Sequence, residues 1–303
     1  MLYLFLAVLC SSSIVMILKF SESRNLNRLV VTTCNYIVAS MVSLFFVFKE
    51  KLFIKSSPEV SGFVSEFSEV LSGGVFSESS SFIWASLTGF FGGILYFLGF
   101  IYIQKSIREN GAGITGAFSK IGIFIPMVLS IIFWKEYPSL VQWTGIILAV
   151  FAILLANYTP DMKDSLLSFR KSLILVFIIV GTAEFSNKFF QNYAQSEYKS
   201  LFLFVVFSTA LAISTVSALV EKEQFSKKDI ITGLLVGIPN MFTSFFLISA
   251  LKYIKATVAF PAYSAGTIVI INIGGLLIFK EKISRKDMTA TVTIVAAIIL
   301  MSL

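Results

Sequence analysis

Two stretches, GAFSKIGIFIPMVLSIIFWKEYPSLVQWTG (116–145) and FPAYSAGTIVIINIGGLLIFKEKISRKDMTA (260–290), decide how this chain folds. Each is a long apolar run, a Lys-Glu turn and the opening of a second apolar run. Laid together, Ala117 meets Ala262, Lys135-Glu136 meets Lys280-Glu281, and Gln142 meets Asp287. Upstream in each half the match continues, with Thr88-Gly89 and Gly93 against Thr232-Gly233 and Gly237. The chain is written twice.

Working outward from these stretches, length sets the number of crossings. A helix rises about 1.5 Å per residue, so crossing roughly 30 Å of hydrocarbon takes about 20 mostly apolar residues. That ruler gives spans at 2–19, 27–47, 82–104, 112–134 and 138–157. A polar stretch from 159 to 171 precedes spans at 172–194, 198–220, 229–253, 256–280 and 284–303. The expected fold is an all-α integral membrane protein, with ten transmembrane helices arranged as two inverted five-helix repeats. The first repeat is 1–157, including a polar connection at 48–81, and the second is 172–303. Five spans is an odd number, so the second copy enters the membrane inverted, an arrangement that secondary transporters use to form a substrate site where the copies meet.

Composition supports this class and excludes others. Of 303 residues, 56% are hydrophobic and only 14% charged, too few charges to cover a soluble domain of this length. There are 32 Phe and no His, so the usual zinc, haem and Ser-His-Asp arrangements are closed to it. No catalytic residues, metal ligands or cofactors are expected, and the chain reads as a non-enzyme. Cys10 and Cys34 lie singly in apolar runs and read as core. The net charge of +7 comes from Lys and Arg at the ends of apolar segments, which fits a lipid bilayer as partner and not nucleic acid. Trp84, Trp134 and Trp143 fall at span ends, where indole rings favour the headgroup layer. Nothing basic precedes the apolar stretch from Leu2, so it reads as a true span and not a cleavable signal. The 48–81 connection is too polar to span; it is either partly disordered or a short amphipathic surface helix.

On the paired Lys-Glu turns, Pro126 and the ten-span architecture, the chain resembles the drug/metabolite transporter superfamily, specifically its EamA-type ten-helix members, over all of 1–303. It departs from a strict repeat in having Ile271 where the first copy has Pro126, and Ala290 where it has Gly145; the 48–81 connection is also longer than the family's short loop. The resemblance implies a two-lobed helical bundle with a central cavity, working by alternating access on amino acids, sugars, nucleotide precursors, drugs or other metabolites.

Charge inside the spans marks the candidate site. A Lys or Asp at a helix centre costs roughly 2.5–3.5 kcal/mol on insertion scales, so such groups usually face a cavity or a partner. Glu184 and Lys188 sit four apart in the sixth span and can pair, with Asn187 and Gln191 extending the stripe and Gly181 one turn earlier. Lys120 lies mid-way along the fourth span with no acid in its own helix. Asn35, Asn240 and Asn272 place amides in the second, eighth and ninth spans, and Tyr96 and Tyr263 can line a cavity or pack. Pro126 and Pro239 are expected to interrupt their helices near mid-membrane and free carbonyls. Two lysines and one acid suit an anionic or zwitterionic small molecule, and Glu184 offers a place for a coupled proton or ion. The charges also admit a structural ion pair.

The function expected is a secondary carrier of a small polar metabolite, in a bacterial cell membrane. The alternative is a lipid-linked sugar flippase or flippase subunit, which related folds also support. Lys and Arg concentrate in connections one-two, three-four, five-six, seven-eight and nine-ten, which by the positive-inside rule puts both termini outside. The resemblance implies both termini inside.

Overall fold

The computed structural model describes residues 1–22, 26–55, 60–71, 73–110, 112–157, 171–278, 280 and 285–303. Glu281, Lys282 and most of the polar stretch between the repeats lie outside the described residues. Among those described, thirteen α-helices and one short 3₁₀ turn (Ser196–Tyr198) follow one another with no strand. They are α1 (Leu2–Glu22), α2 (Arg28–Lys49), α3 (Leu52–Lys55), α4 (Val60–Leu71), α5 (Glu78–Asn110), α6 (Ala112–Ile121) and α7 (Phe124–Trp134). The rest are α8 (Leu140–Asn157), α9 (Lys171–Tyr193), α10 (Lys199–Val220), α11 (Lys227–Leu251), α12 (Ala256–Leu277) and α13 (Arg285–Ser302).

Helices stand where the sequence places its ten spans, but not all meet the same standard. Among the described residues, eight segments are long and apolar enough to cross a membrane, and Leu140–Ala156 is a shorter apolar helix. The last, α13, carries Arg285, Lys286 and Asp287 in its first turn, which makes it more polar than the others. The third span runs further than its apolar core, because α5 holds 33 residues. Its polar end is tied down: Ser106 Oγ lies 2.9 Å from Thr115 Oγ1, and Asn110 Nδ2 donates to Ser172 Oγ at 2.9 Å. Buried hydroxyls and an amide that satisfy one another allow a helix to continue past its apolar stretch.

The fourth span breaks as Pro126 requires. Proline has no N–H and its ring clashes with the carbonyl four residues back, which is that of Gly122. The chain turns at Gly122 and Ile123 between α6 and α7. Pro239 corrects the parallel expectation, since α11 runs through it unbroken. Thr243 Oγ1 donates to the Pro239 carbonyl at 2.7 Å, and Pro261 likewise sits inside α12.

By internal packing the chain divides into two compact units, each drawing on both repeats. The first comprises Met1–Ser12, Leu98–Phe185 and Tyr253–Leu303; the second comprises Ser13–Phe97 and Ser186–Lys252. In the first, α8 lies along α13, and α12 packs on α7, α8 and α13. A Cβ added to Gly145 of α8 would stand 2.8 Å from the Ala297 carbonyl of α13, so only glycine allows this approach.

In the second unit α2 lies between α10 and α11. The matched glycines turn out to be the same device used twice. Gly89 and Gly93 of α5 press on Phe202, Val205, Val206 and Thr209 of α10, while Gly233 and Gly237 of α11 press on Val31, Cys34, Asn35 and Val38 of α2. Both partner sets run i, i+3, i+4, i+7, so the third span of each repeat packs on the second span of the other in one register. Small residues of this spacing let helix backbones approach closely in lipid.

Helix ends repeat the pattern. Among the described residues, four other than glycine have positive φ: Lys51 (54°), Lys222 (53°), Lys135 (53°) and Lys280 (52°). Lys51 and Lys222 follow the second span of each repeat, and Lys135 and Lys280 follow the two runs first aligned. After α7, Lys135 N donates to Ile131 O at 3.0 Å and Glu136 N to Ser130 O at 3.4 Å, a left-handed cap that satisfies the last carbonyls. Glu136 then reaches the next repeat, where its Oε2 accepts from the Ala256 backbone N–H at 2.6 Å and caps α12. The Lys-Glu turn thus ends one helix and starts another.

Within the 48–81 connection, the described residues include the short helix α4, exposed along most of its length. Phe63 of α4 stacks on Phe76 (5.1 Å between ring centroids), and Phe76 meets Trp84 at 5.2 Å. Trp84 in turn contacts Phe189 (5.1 Å) and Tyr193 (5.8 Å) of α9. Trp84 is therefore buried in an aromatic cluster instead of standing free at the headgroups. Trp134 and Trp143 do fall at helix ends.

Candidate functional site: a buried polar network and two charged helices

Six of the nine candidate residues lie in the second unit. Asn187 of α9, fully buried, donates from Nδ2 to the Tyr96 hydroxyl of α5 at 3.1 Å. That hydroxyl lies 3.2 Å from Ser244 Oγ of α11, while the Tyr96 ring packs edge-on to Phe207 at 6.2 Å. One turn before Ser244 on α11, Asn240 Nδ2 donates to Asn35 Oδ1 of α2 at 3.1 Å. Residues four apart share a helix face, so the two sets form one polar strip along α11, joined to α2, α5 and α9. Ser40 Oγ and Ser208 Oγ, 2.7 Å apart, add a link between α2 and α10.

Lys188 follows Asn187 directly and is 3% exposed; its Nζ donates to Gln191 Oε1 at 3.3 Å. An ammonium this deep is costly to desolvate, and it stands beside a strip of amides and hydroxyls. Serine and threonine elsewhere in these helices mostly bond back to their own i−4 carbonyl, as Thr33 does to Leu29. Tyr96 and Ser244 meet across helices instead.

Lys120 and Glu184 belong to the first unit. The sequence offered Lys120 no acid within its own helix, yet the fold brings one from α9: the Glu184 carboxylate acts electrostatically on the Lys120 ammonium. Backbone geometry explains this meeting. Gly122 and Gly181 press their backbones together so closely that a Cβ on Gly181 would collide with the Gly122 carbonyl, and one on Gly122 would crowd Gly181 N at 3.2 Å. Lys120 lies just before that crossing and Glu184 just after it, which brings the two within electrostatic reach. Phe185, beside Glu184, packs on Phe133 (6.2 Å) and Trp134 (5.7 Å) of α7.

Asn272 stands apart from both groups. Its Nδ2 donates to Thr291 Oγ1 at 3.0 Å and ties α12 to α13. Tyr263 is buried in α12. Cys34 is buried and Cys10 half-buried, both as free thiols.

Sequence reasoning passed over Ser244 and Lys199. Ser244 was findable, being one turn beyond Asn240. Lys199, at the first turn of α10, is half-buried, with its Nζ over the Phe245 ring (4.2 Å) and 3.3 Å from Ser249 Oγ. Nothing local in the sequence signals that pairing, because α10 and α11 meet only in the fold.

Comparison with known proteins agrees with this architecture. The model of the EamA-like transporter family matches residues 1–158 and again 167–303, one match per repeat. The chain belongs to the EamA-like transporter family. This family is one of membrane transporters within the drug/metabolite superfamily. An uncharacterised protein of Haemophilus influenzae is 24% identical over 297 residues, covering 97% of this chain and 95% of that one. A solved crystal structure matches in fold with a TM-score of 0.69 at 12% identity, covering 100% of this chain and 97% of the other.

Proposed function

We propose that this EamA-family protein is a secondary carrier, moving a small anionic or zwitterionic metabolite across a bacterial cell membrane by alternating access. The observation that carries the reading is the buried Lys188 ammonium beside the Asn187–Tyr96–Ser244 chain. A carboxylate or phosphate oxygen of the solute would take a charge-assisted hydrogen bond from Lys188. The amide and hydroxyl groups of Asn35, Tyr96, Asn187, Asn240 and Ser244 would orient its polar remainder. Each is both donor and acceptor, so the strip can exchange internal hydrogen bonds for bonds to the solute at little net cost.

Glu184, on the same helix α9 as Lys188 and with Lys120 of α6 as its electrostatic partner, supplies the coupling group in this reading. Protonating Glu184 removes the partner charge of Lys120, so a proton bound there changes the electrostatics of α9 where it crosses Gly122.

A stability screen on the purified protein tests the proposal. Amino acids, organic acids and sugar phosphates are added singly and the unfolding temperature is read; any solute that raises it goes on to counterflow in liposomes. The proposal expects at least one water-soluble anionic or zwitterionic solute to stabilise the protein and to exchange. Stabilisation by lipid-linked sugars alone would move the chain to the flippase class.

A further inference from the structure

We infer that α4 is a lipid-contacting helix, lying flat in the boundary layer of the bilayer with an apolar face inserted between headgroups. The helix has three sectors. Val70 (4% exposed) and Phe63 point into the protein, where Phe63 joins the Phe76–Trp84 cluster. Ser65, Ser68 and Glu69 form an exposed polar side. Between these lies an exposed apolar row: Val60 (69% exposed), Val64 (67%), Leu71 (46%) and Phe67 (38%), whose ring also leans on the Phe76–Trp84 cluster. At 100° per residue these four fall within roughly 60° of one another, a single apolar stripe. Water would meet this stripe at a cost of about 25 cal/mol per Å², and soluble surfaces rarely carry such a row.

Lipid is the occupant to which the surroundings point. The connection leaves the membrane at the end of α2 and re-enters it at α5, so α4 is held at the bilayer surface by spans on both sides. Exposed apolar side chains also stand on the two helices before it: Phe45 and Phe48 of α2 (each 63% exposed), then Phe53 (45%) and Ile54 (81%) of α3. The stripe itself carries no charge, and the only charged groups on α4 are Glu66 and Glu69. A stripe of this kind inserts by apolar burial without requiring anionic lipid. Because Phe63 and Phe67 bear on Trp84, and Trp84 on Phe189 and Tyr193, lipid contact also braces the end of α9 that follows Lys188.

The test places single thiols on the full chain, in a background with Cys10→Ser and Cys34→Ala; alanine keeps the Cβ on which Gly233 packs. Val64→Cys and Ser68→Cys are each labelled with an environment-sensitive fluorophore and reconstituted into phosphatidylcholine vesicles, with and without brominated acyl chains. Lipid contact gives a blue-shifted emission at 64 that brominated chains quench severalfold more than at 68, where aqueous iodide quenches instead. Val60→Cys and Ser65→Cys should repeat the contrast. Water-like emission at both 64 and 60, quenched by iodide and indifferent to brominated lipid, would overturn the inference.

Discussion

Asn240 and Asn35 meet through one hydrogen bond between their side-chain amides, and their mutual dependence is measurable. Removing the donor with Asn240→Ala leaves the Asn35 carbonyl oxygen unsatisfied, which costs about 1–3 kcal/mol. The double variant Asn35→Ala/Asn240→Ala should lose less than the sum of the single losses, because neither residue then strands the other. Thermal unfolding in detergent reads both. Glu66 gives a pH-dependent counterpart outside the membrane. The Ser77 backbone N–H donates to its Oε2 at 3.0 Å and holds the carboxyl below the usual carboxylate range, outweighing partial burial. A depressed folded pKa means the contact stabilises fully above the ordinary carboxylate range and fades as pH falls through the lowered value. Proteolysis within 60–77 should therefore accelerate below that range, and Glu66→Gln should be cleaved at a rate that no longer follows pH there.

At the scale of elements, the glycine contacts carry the inverted repeat. A Cβ on Gly93 would stand 2.5 Å from the Val206 carbonyl, and one on Gly237 2.5 Å from Val38 Cβ. Neither backbone can yield cheaply, so Gly93→Ala and Gly237→Ala should each destabilise by about 1–3 kcal/mol. Gly99→Ala is the control: its Cβ would first meet Val180 at 3.7 Å, ordinary contact, and its unfolding temperature should match the parent or exceed it slightly. The existence of these helices was legible in the sequence, since apolar runs of spanning length need no tertiary information. Their ends were less so. The extra turns of α5 depend on the Ser106–Thr115 and Asn110–Ser172 contacts, which join segments far apart in the chain. The different outcomes at Pro126 and Pro239 also followed from surroundings: beside Pro126 the chain has Gly122, where it can turn.

At the scale of the whole molecule, two sequence observations carried furthest, the paired Lys-Glu turns and the paired Thr-Gly sites. The first Lys-Glu turn proved to be a helix cap, and both Thr-Gly sites close contacts between copies. The candidate site was legible residue by residue, because polar groups stand out against an apolar background. Their grouping was not, since spacing within α9 puts Glu184 beside Lys188 and says nothing of Lys120. The distribution of Lys and Arg predicts both termini outside, so a reporter fused after Leu303 should be active only on the outer face. The account as a whole rests on α9, whose charged residues are assigned to moving solute. Counterflow of a solute found by the stability screen, compared in liposomes bearing the parent chain, Lys188→Met or Glu184→Gln, tests that assignment most directly. The account predicts that both variants insert and unfold near the parental temperature yet lose exchange; exchange at the parental rate in both would contradict it.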